Sequence, residues 1–250
     1  MSRKPFVPAA LLGKMWRCII EFEMLQEGDR VLIGLSGGKD SMFLTAALAE
    51  VQQYAPFKFD LACYTVDTMF SSDFPKADLE SFCAQYGLKH YSSKVDVTEA
   101  WQHRTNTPCF TCAYFRRAAT NRTALELGFN KVAWAHHHDD AVETFFLNLV
   151  ASGQLKTFLP VTPLSRTRLT LIRPLLYYRE AEIISMVDEL NLHPLKNPCP
   201  YDATQNARKP KNCCARCRLQ RRSVRPSGGS HAFCQCRTLA CQMRKNRAGR

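Results

Sequence analysis

The segment VLIGLSGGKDS, Val31 to Ser41, constrains the fold more than any other stretch of the chain. Val31, Leu32, Ile33 and Leu35, interrupted only by Gly34, read as a buried strand, and Met42–Val51 (MFLTAALAEV) carries helix formers and no breaker. The serines and the glycine pair therefore occupy a strand-to-helix turn. At such a turn the unsatisfied backbone N–H groups and the positive end of the helix dipole favour an anion. Gly37 and Gly38 put no side chain in the way of a phosphate, and Lys39 adds a positive charge.

The common triphosphatase loop, G-x-x-x-x-G-K-[ST], does not fit: Ile33 stands at its first glycine position and Asp40 follows Lys39. The dinucleotide fingerprint G-x-G-x-x-G is also missing. The pattern that does fit is S-G-G-x-D-S, the pyrophosphate loop of ATP-dependent adenylating enzymes. It is matched by Ser36, Gly37, Gly38, Asp40 and Ser41, with Lys39 at the variable position.

Around this loop the chain alternates between two periodicities. Strands are expected over Arg30–Leu35, Phe59–Val66, Lys89–Val95, Lys131–Ala135 and Thr170–Arg173. Helices are expected over Asp40–Gln53, Pro75–Tyr86, Cys112–Leu127, Asp140–Val150 and Arg179–Leu190, with an N-terminal helix presenting Met15, Ile19 and Phe22. Such alternation implies an α/β fold with a mostly parallel sheet, helices on both faces and a ligand crevice at the carboxyl ends of the strands. No internal repeat is evident.

Charge requires counting by segment. The chain has 34 Lys+Arg against 22 Asp+Glu, net +12, which looks like a nucleic-acid binder. Yet 13 of those bases and a single acid, Asp202, lie from Tyr201 onward, so the first 200 residues balance at 21 of each sign. RNA affinity in the body must come from local patches. The apolar run Val7–Leu12 is broken by Pro8 and makes no secretory signal, and no stretch approaches the roughly 18 apolar residues of a membrane span. The expectation is a cytoplasmic chain without a membrane partner, in which 12 cysteines argue for thiolate chemistry or metal rather than disulfides.

Three further motifs fall where the crevice should be. Asp67 ends the second strand in YTVDT, placed for a nucleotide contact or simply as a solvated strand-end acid. In AWAHHHDDAVETFF, Asp139, Asp140 and Glu143 crowd the first turn of a helix. They suit Mg²⁺ on triphosphate oxygens, or an acidic turn that merely matches the dipole. His136, His137 and His138 are adjacent, and adjacent histidines rarely face one ion, so packing or nucleotide contact is expected of them. Third, Cys109 and Cys112 form a C-x-x-C at a helix mouth, with Arg116 and Arg117 one turn beyond. That pair alone fits a redox couple, half a zinc site or an iron–sulfur site. A distant third cysteine, Cys199, sits between two prolines in NPCPYD.

Taken together these pieces resemble the tRNA 2-thiocytidine synthetase family of pyrophosphate-loop ATPases. The matching segments are EGDRVLIGLSGGKDS, CFTCAYFRRAATNRTALELGFNKVAWAHHHDDAVETFFLNL, LIRPLLYYRE and NPCP, which span most of residues 15 to 200 in that order. The resemblance implies a HUP-type α/β fold, use of ATP and Mg²⁺, and a [4Fe–4S] cluster on three cysteines. The implied reaction adenylates the C2 oxygen of a cytidine in the tRNA anticodon loop and replaces it by sulfur. Carried over residue by residue, ATP falls on Ser36, Gly37, Gly38, Lys39, Asp40 and Ser41, with Asp67 and His136 as further contacts. The cluster falls on Cys109, Cys112 and Cys199, Mg²⁺ on Asp139 and Asp140, and the catalytic roles on Lys39, Asp40, Asp140 and Arg116. Implied partners are tRNA and a sulfur donor such as a cysteine desulfurase, and a homodimer stays open. Ala135 and His138 depart from the glycine and arginine common in the family at AHHHDD. No N-terminal zinc finger precedes the loop, unlike the related thiouridine-forming enzymes. The competing reading is another pyrophosphate-loop enzyme, an amidotransferase-type ligase or small-molecule thiolase, with zinc or a redox C-x-x-C.

The sequence divides into an N-terminal helical segment (1–27), the ATPase and thiolation domain (28–200) and a basic tail (201–250). From Ala203 onward the tail has no acid, one aromatic (Phe233) and six cysteines between Cys213 and Cys241. Nothing in it builds a core, so it is expected to be disordered. The favoured reading is a frameshift near Arg208, since Arg, Cys, Pro, Ser and Gly dominate out-of-frame translation of GC-rich genes. A basic arm for tRNA and a zinc module on Cys214, Cys217, Cys234 and Cys236 are the alternatives.

Overall fold

Strand β1 (Arg30–Gly34) is the middle of the sheet, and its residues Val31, Leu32 and Ile33 are entirely buried. A strand covered on both faces has no polar side to alternate with, which is why its sequence is a continuous apolar run. The computed structural model describes residues 7–70, 74–97 and 108–195. Cys199 and the tail 201–250 lie outside the described residues.

Six strands make one sheet in the order β3-β2-β1-β4-β6-β5. Here β2 is Asp60–Asp67, β3 Lys89–Lys94, β4 Lys131–Ala133, β5 Val161–Pro163 and β6 Thr170–Ile172. β1 pairs in parallel with β2, from Arg30↔Asp60 to Gly34↔Tyr64, and with β4, from Val31↔Lys131 to Ile33↔Ala133. β3 and β6 extend the parallel sheet on either side. β5 alone is antiparallel, on β6. The expected strands all form, trimmed or shifted by one or two residues. β5 was not expected, because Pro160 and Pro163 disguise it; a proline is tolerated on an edge strand, where one side needs no ladder bond.

The helices are α1 (Ala9–Glu21), α2 (Lys39–Tyr54), α3 (Lys76–Gln85), α4 (Pro108–Glu126), α5 (His138–Ser152) and α6 (Glu180–Glu189). α4 starts four residues earlier than its apolar pattern predicts, so Cys109 lies within the helix. On one face of the sheet α1, α2, α3 and α6 share a core built on Met15, Ile19, Phe43, Leu48, Leu79, Tyr178 and Met186. α1 therefore packs into the same core as the pyrophosphate-loop helix. On the other face Ala119 and Ala124 of α4 pack with Leu32, Tyr64 and Val132. α5 behaves differently. Despite its apolar sequence it buries no residue fully, and Phe146 and Leu147 are 57% and 65% exposed.

Cys18, Cys63 and Cys83 are buried core residues. Burial raises the Cys18 thiol to about 12, which keeps it inert.

At the amino end of the sheet, Lys131 Nζ lies 2.6 Å from Asp29 Oδ2 and donates to the Met24 carbonyl at 2.8 Å. Asn130 Nδ2 and the Gln26 N–H complete the Asp29 carboxylate at 2.8 and 2.7 Å. Both charges are buried, so removing one strands the other. Asp29→Ala should cost about 3 kcal/mol or more, read as a thermal or denaturant midpoint. Asp29→Ala/Lys131→Met should recover much of that loss. A single variant as stable as the parent would refute the network's role.

Candidate functional site

The strand order reverses between β1 and β4, so the segments leaving these two strands diverge and open a crevice at their carboxyl ends. The loop Leu35–Gly38 leaves β1 there and Trp134–His137 leaves β4 beside it. Packing is tight at the crevice floor. A Cβ on Gly34 would come within 2.9 Å of the Trp134 ring, so glycine is required for that close approach.

The loop is braced by its own serines. The Ser36 N–H donates to Ser41 Oγ at 3.1 Å, the Gly38 N–H to Ser36 Oγ at 3.3 Å, and Ser41 Oγ to the Gly38 carbonyl at 2.9 Å. Gly37 has φ +78°, a conformation that side chains with a Cβ resist, and its carbonyl accepts from the Leu195 N–H at 2.8 Å. α2 begins at Lys39, presenting its first N–H groups, which no intrahelical acceptor can use, toward the loop. This is a preformed anion cradle.

Three helix N-termini converge on it. Lys39 Nζ sits 2.8 and 3.0 Å from the Asp40 carboxylate oxygens and 3.3 Å from Glu180 Oε1 at the start of α6. Burial alone would disfavour the Lys39 charge, but Asp40 and Glu180 outweigh it and raise the pKa above the ordinary lysine value. His137, buried before α5, places Nε2 3.6 Å from Asp140 and 3.9 Å from Asp40. Asp139 Oδ2 accepts the Glu180 N–H at 2.7 Å, and Asp139 Oδ1 lies 3.4 Å from Arg179 Nε. That backbone hydrogen bond first, and then the Arg179 charge, hold the Asp139 carboxyl below its usual range. Asp140 Oδ2 accepts the His137 N–H at 2.9 Å, capping α5.

The structure thus gathers Ser36–Ser41, Asp139 and Asp140, which the sequence nominated, with His137, of which it expected packing or nucleotide contact, and with Glu180 and Arg179, to which it gave no role. Glu180 lies 141 positions from Lys39, and only folding reveals the pair. Asp67 ends β2 next to β1, buried, and its Oδ1 accepts the Met69 N–H at 2.9 Å to cap its own turn. Among the described residues His136 makes no ion pair, although the Asp140 charge reaches it. Its outer edge is open to solvent, yet its ring lies 5.1 Å from the Phe158 ring. Crowding first, and then the Arg173 charge, pull its pKa down to about 4. Cys109 and Cys112 are half-buried in the first turn of α4, three apart and so on one face, with Arg116 one turn further along that face. Among the described residues, no three His, Cys, Asp or Glu side chains are grouped to hold a metal. No helix among them is long and apolar enough to cross a membrane.

The crevice, the serine-braced glycine loop and the charged cluster define an α/β nucleotide-binding domain built to hold a pyrophosphate. The chain belongs to the PP-loop domain family, whose profile matches residues 14–208. It is 38% identical over 176 residues to the tRNA-cytidine(32) 2-sulfurtransferase of Dechloromonas aromatica, covering 69% of this chain and 61% of that protein. The protein of that name from Pseudomonas syringae is 35% identical over 173 residues, 68% of this chain and 63% of the relative. The chain spans about three-fifths of the length of these relatives. Among solved structures it resembles a U34-tRNA thiolase, NcsA from Methanococcus maripaludis with its [4Fe-4S] cluster. The TM-score is 0.64 at 26% identity, over 81% of this chain and 73% of that one. An NH3-dependent NAD synthetase from Campylobacter jejuni shares the fold, with a TM-score of 0.52 at 18% identity over 95% and 94%. The expected HUP-type fold is borne out.

Gly37→Ala tests the cradle. A Cβ there is strained by the positive φ and comes 3.3 Å from Leu195. The substitution should lower stability by about 1 kcal/mol and weaken binding of an ATP analogue at least tenfold by calorimetry. Unchanged analogue affinity would show that the loop is not the phosphate site.

Proposed function

We propose that this chain is an ATP-dependent tRNA-cytidine 2-sulfurtransferase acting on a cytidine of the anticodon loop. The observation that carries this reading is the placement of a pyrophosphate cradle and a C-x-x-C with Arg116 at the same carboxyl edge of one sheet. The curated relatives, which bear that activity in their names, support it, and so does the likeness to a cluster-holding tRNA thiolase.

The chemistry follows from the residues. The exocyclic oxygen on C2 of a pyrimidine is a poor leaving group, so it is first adenylated: the C2 oxygen attacks the α-phosphorus of ATP and pyrophosphate departs. Ser36, Gly37, Gly38 and Ser41 hold that pyrophosphate, and Lys39 offsets the charge that develops on it. Asp40 and Glu180 keep Lys39 protonated and aimed, while Asp67 stands by for the nucleoside end. Asp139 and Asp140 fit Mg²⁺ in the way that ion commonly binds, with one or two carboxylates and the substrate's phosphate oxygens completing the shell. A sulfur nucleophile then adds at C2 and AMP leaves. Arg116 is positioned to steady the oxyanion or a tRNA phosphate.

Cys109 and Cys112 fit two corners of a [4Fe–4S] cluster, presenting both sulfurs from one helical face with room left by their partial exposure. Cys199 is the proposed third ligand; the chain re-enters the loop at Leu195, four residues before it. Such a cluster, when bound, supplies an open iron able to carry an exogenous sulfur. Sulfur delivery by a cysteine desulfurase, action in the cytoplasm and homodimer formation complete the proposal.

Mass spectrometry of tRNA nucleosides should find 2-thiocytidine lost in a deletion strain and restored by the wild-type gene but not by Lys39→Ala. Cys109→Ala, Cys112→Ala and Cys199→Ala should each abolish both the brown absorbance of anaerobically purified protein and thiolation, whereas Cys63→Ala and Cys83→Ala should keep both. A colourless wild-type protein holding stoichiometric zinc would favour the competing adenylating enzymes.

A further inference from the structure

Arg173 follows β6 and is 8% exposed, yet among the described residues no carboxylate lies within ion-pair distance of it. Its Nη1 donates to the Leu159 carbonyl at 2.5 Å and to Thr162 Oγ1 at 3.0 Å, and its guanidinium lies 4.9 Å from the centre of the Phe158 ring. Among the described residues its buried Nε has no hydrogen-bond partner. A buried cation held by neutral groups and left with an unused donor is costly unless an anion completes it. What surrounds it adds positive charge. Burial first, and then the charge of Arg117 on α4, oppose its protonation. His136, whose ring lies 5.1 Å from that of Phe158, feels Arg173 and Arg117 as well, with the Asp140 charge acting against them.

We infer that Arg173, Arg117, His136 and Phe158 form a second anion site, which receives a phosphodiester of the RNA substrate beside the target nucleotide. The inference rests on the tRNA reading above and deepens it. Two observations separate this site from the pyrophosphate cradle. Lys39 is already balanced by Asp40 and Glu180, while Arg173 has no such partner. In addition, β6 lies two strands from β1, about 10 Å across the sheet, too far for one pyrophosphate to serve both. The aromatic component favours RNA. Single-stranded loops are recognised by pairing phosphate contacts with stacking of an unstacked base on an aromatic or imidazole face, and Phe158 with His136 offers that platform.

The test measures binding of unmodified tRNA by fluorescence anisotropy over a salt series. Binding of a non-hydrolysable ATP analogue and the melting temperature are followed in parallel. Arg173→Met and Arg117→Glu should each weaken tRNA binding roughly tenfold and lower the salt slope by about one, with the analogue's affinity unchanged. Loss of analogue affinity with tRNA binding intact would assign the phosphate to the nucleotide and overturn the inference, as would unchanged tRNA affinity in both variants. If Arg173→Met melts early, Arg117→Glu and His136→Glu decide alone, since both positions are exposed: undiminished tRNA binding overturns the proposal. A wild-type protein that binds no tRNA would overturn the sulfurtransferase reading itself. Wild-type and variant proteins that bind tRNA equally would overturn only this site.

Discussion

Between β1 and β4 the chain connections depart in opposite directions, which opens a gap between them at the carboxyl ends of those two strands. That gap is the constraint from which the site follows. It sets the glycine loop after β1 against the histidine segment after β4, and it lets α2, α5 and α6 bring three helix N-termini to one place. Three positive dipole ends would repel one another without compensation. Asp40, Asp139, Asp140 and Glu180 supply that compensation, and Lys39, Arg179 and His137 divide the resulting negative charge among themselves. The acidic turn of α5 therefore does what a bland reading assigns it, capping and dipole matching, and also builds the wall of the crevice.

The result is a cradle whose charge is balanced before any ligand arrives. Fixed donors and paired charges need little reorganisation when negative charge develops, which is the condition for electrostatic stabilisation of a departing pyrophosphate. The loop is equally prearranged: its serines bond to its own backbone, and Leu195 anchors Gly37 from 158 positions further along the chain. Two strands away the arrangement inverts. Arg173 is buried against a carbonyl, a hydroxyl and a phenyl ring with no acid paired to it among the described residues, so that part of the crevice is prepared for an anion from outside.

Other regions carry the same contrast between satisfied and unsatisfied groups. The Asp29–Lys131 pair at the opposite end of the sheet is fully hydrogen-bonded and purely structural. α5, by contrast, leaves Val142, Phe146 and Leu147 exposed although its sequence would suit a core helix. Apolar periodicity registers that a surface can be covered; it does not register whether the described residues cover it.

The sequence by itself determined whatever depends on neighbouring residues. The strand–glycine–helix turn at Ser36–Ser41, the alternation of strands and helices, the core character of Cys18, Cys63 and Cys83, and the shared face of Cys112 and Arg116 all follow from local spacing and conformational preference. Tertiary structure decided whatever depends on residues far apart in the chain: Glu180 on Lys39, Asp139 on the Glu180 N–H, Leu195 on Gly37, and Arg173 with His136 around Phe158. It also decided β5, whose prolines contradict a strand until the sheet edge gives them a place. The physical reason is that hydrogen bonds, ion pairs and burial are set by distance in space, and a parallel sheet with crossover helices brings together residues that the sequence keeps between 15 and 158 positions apart.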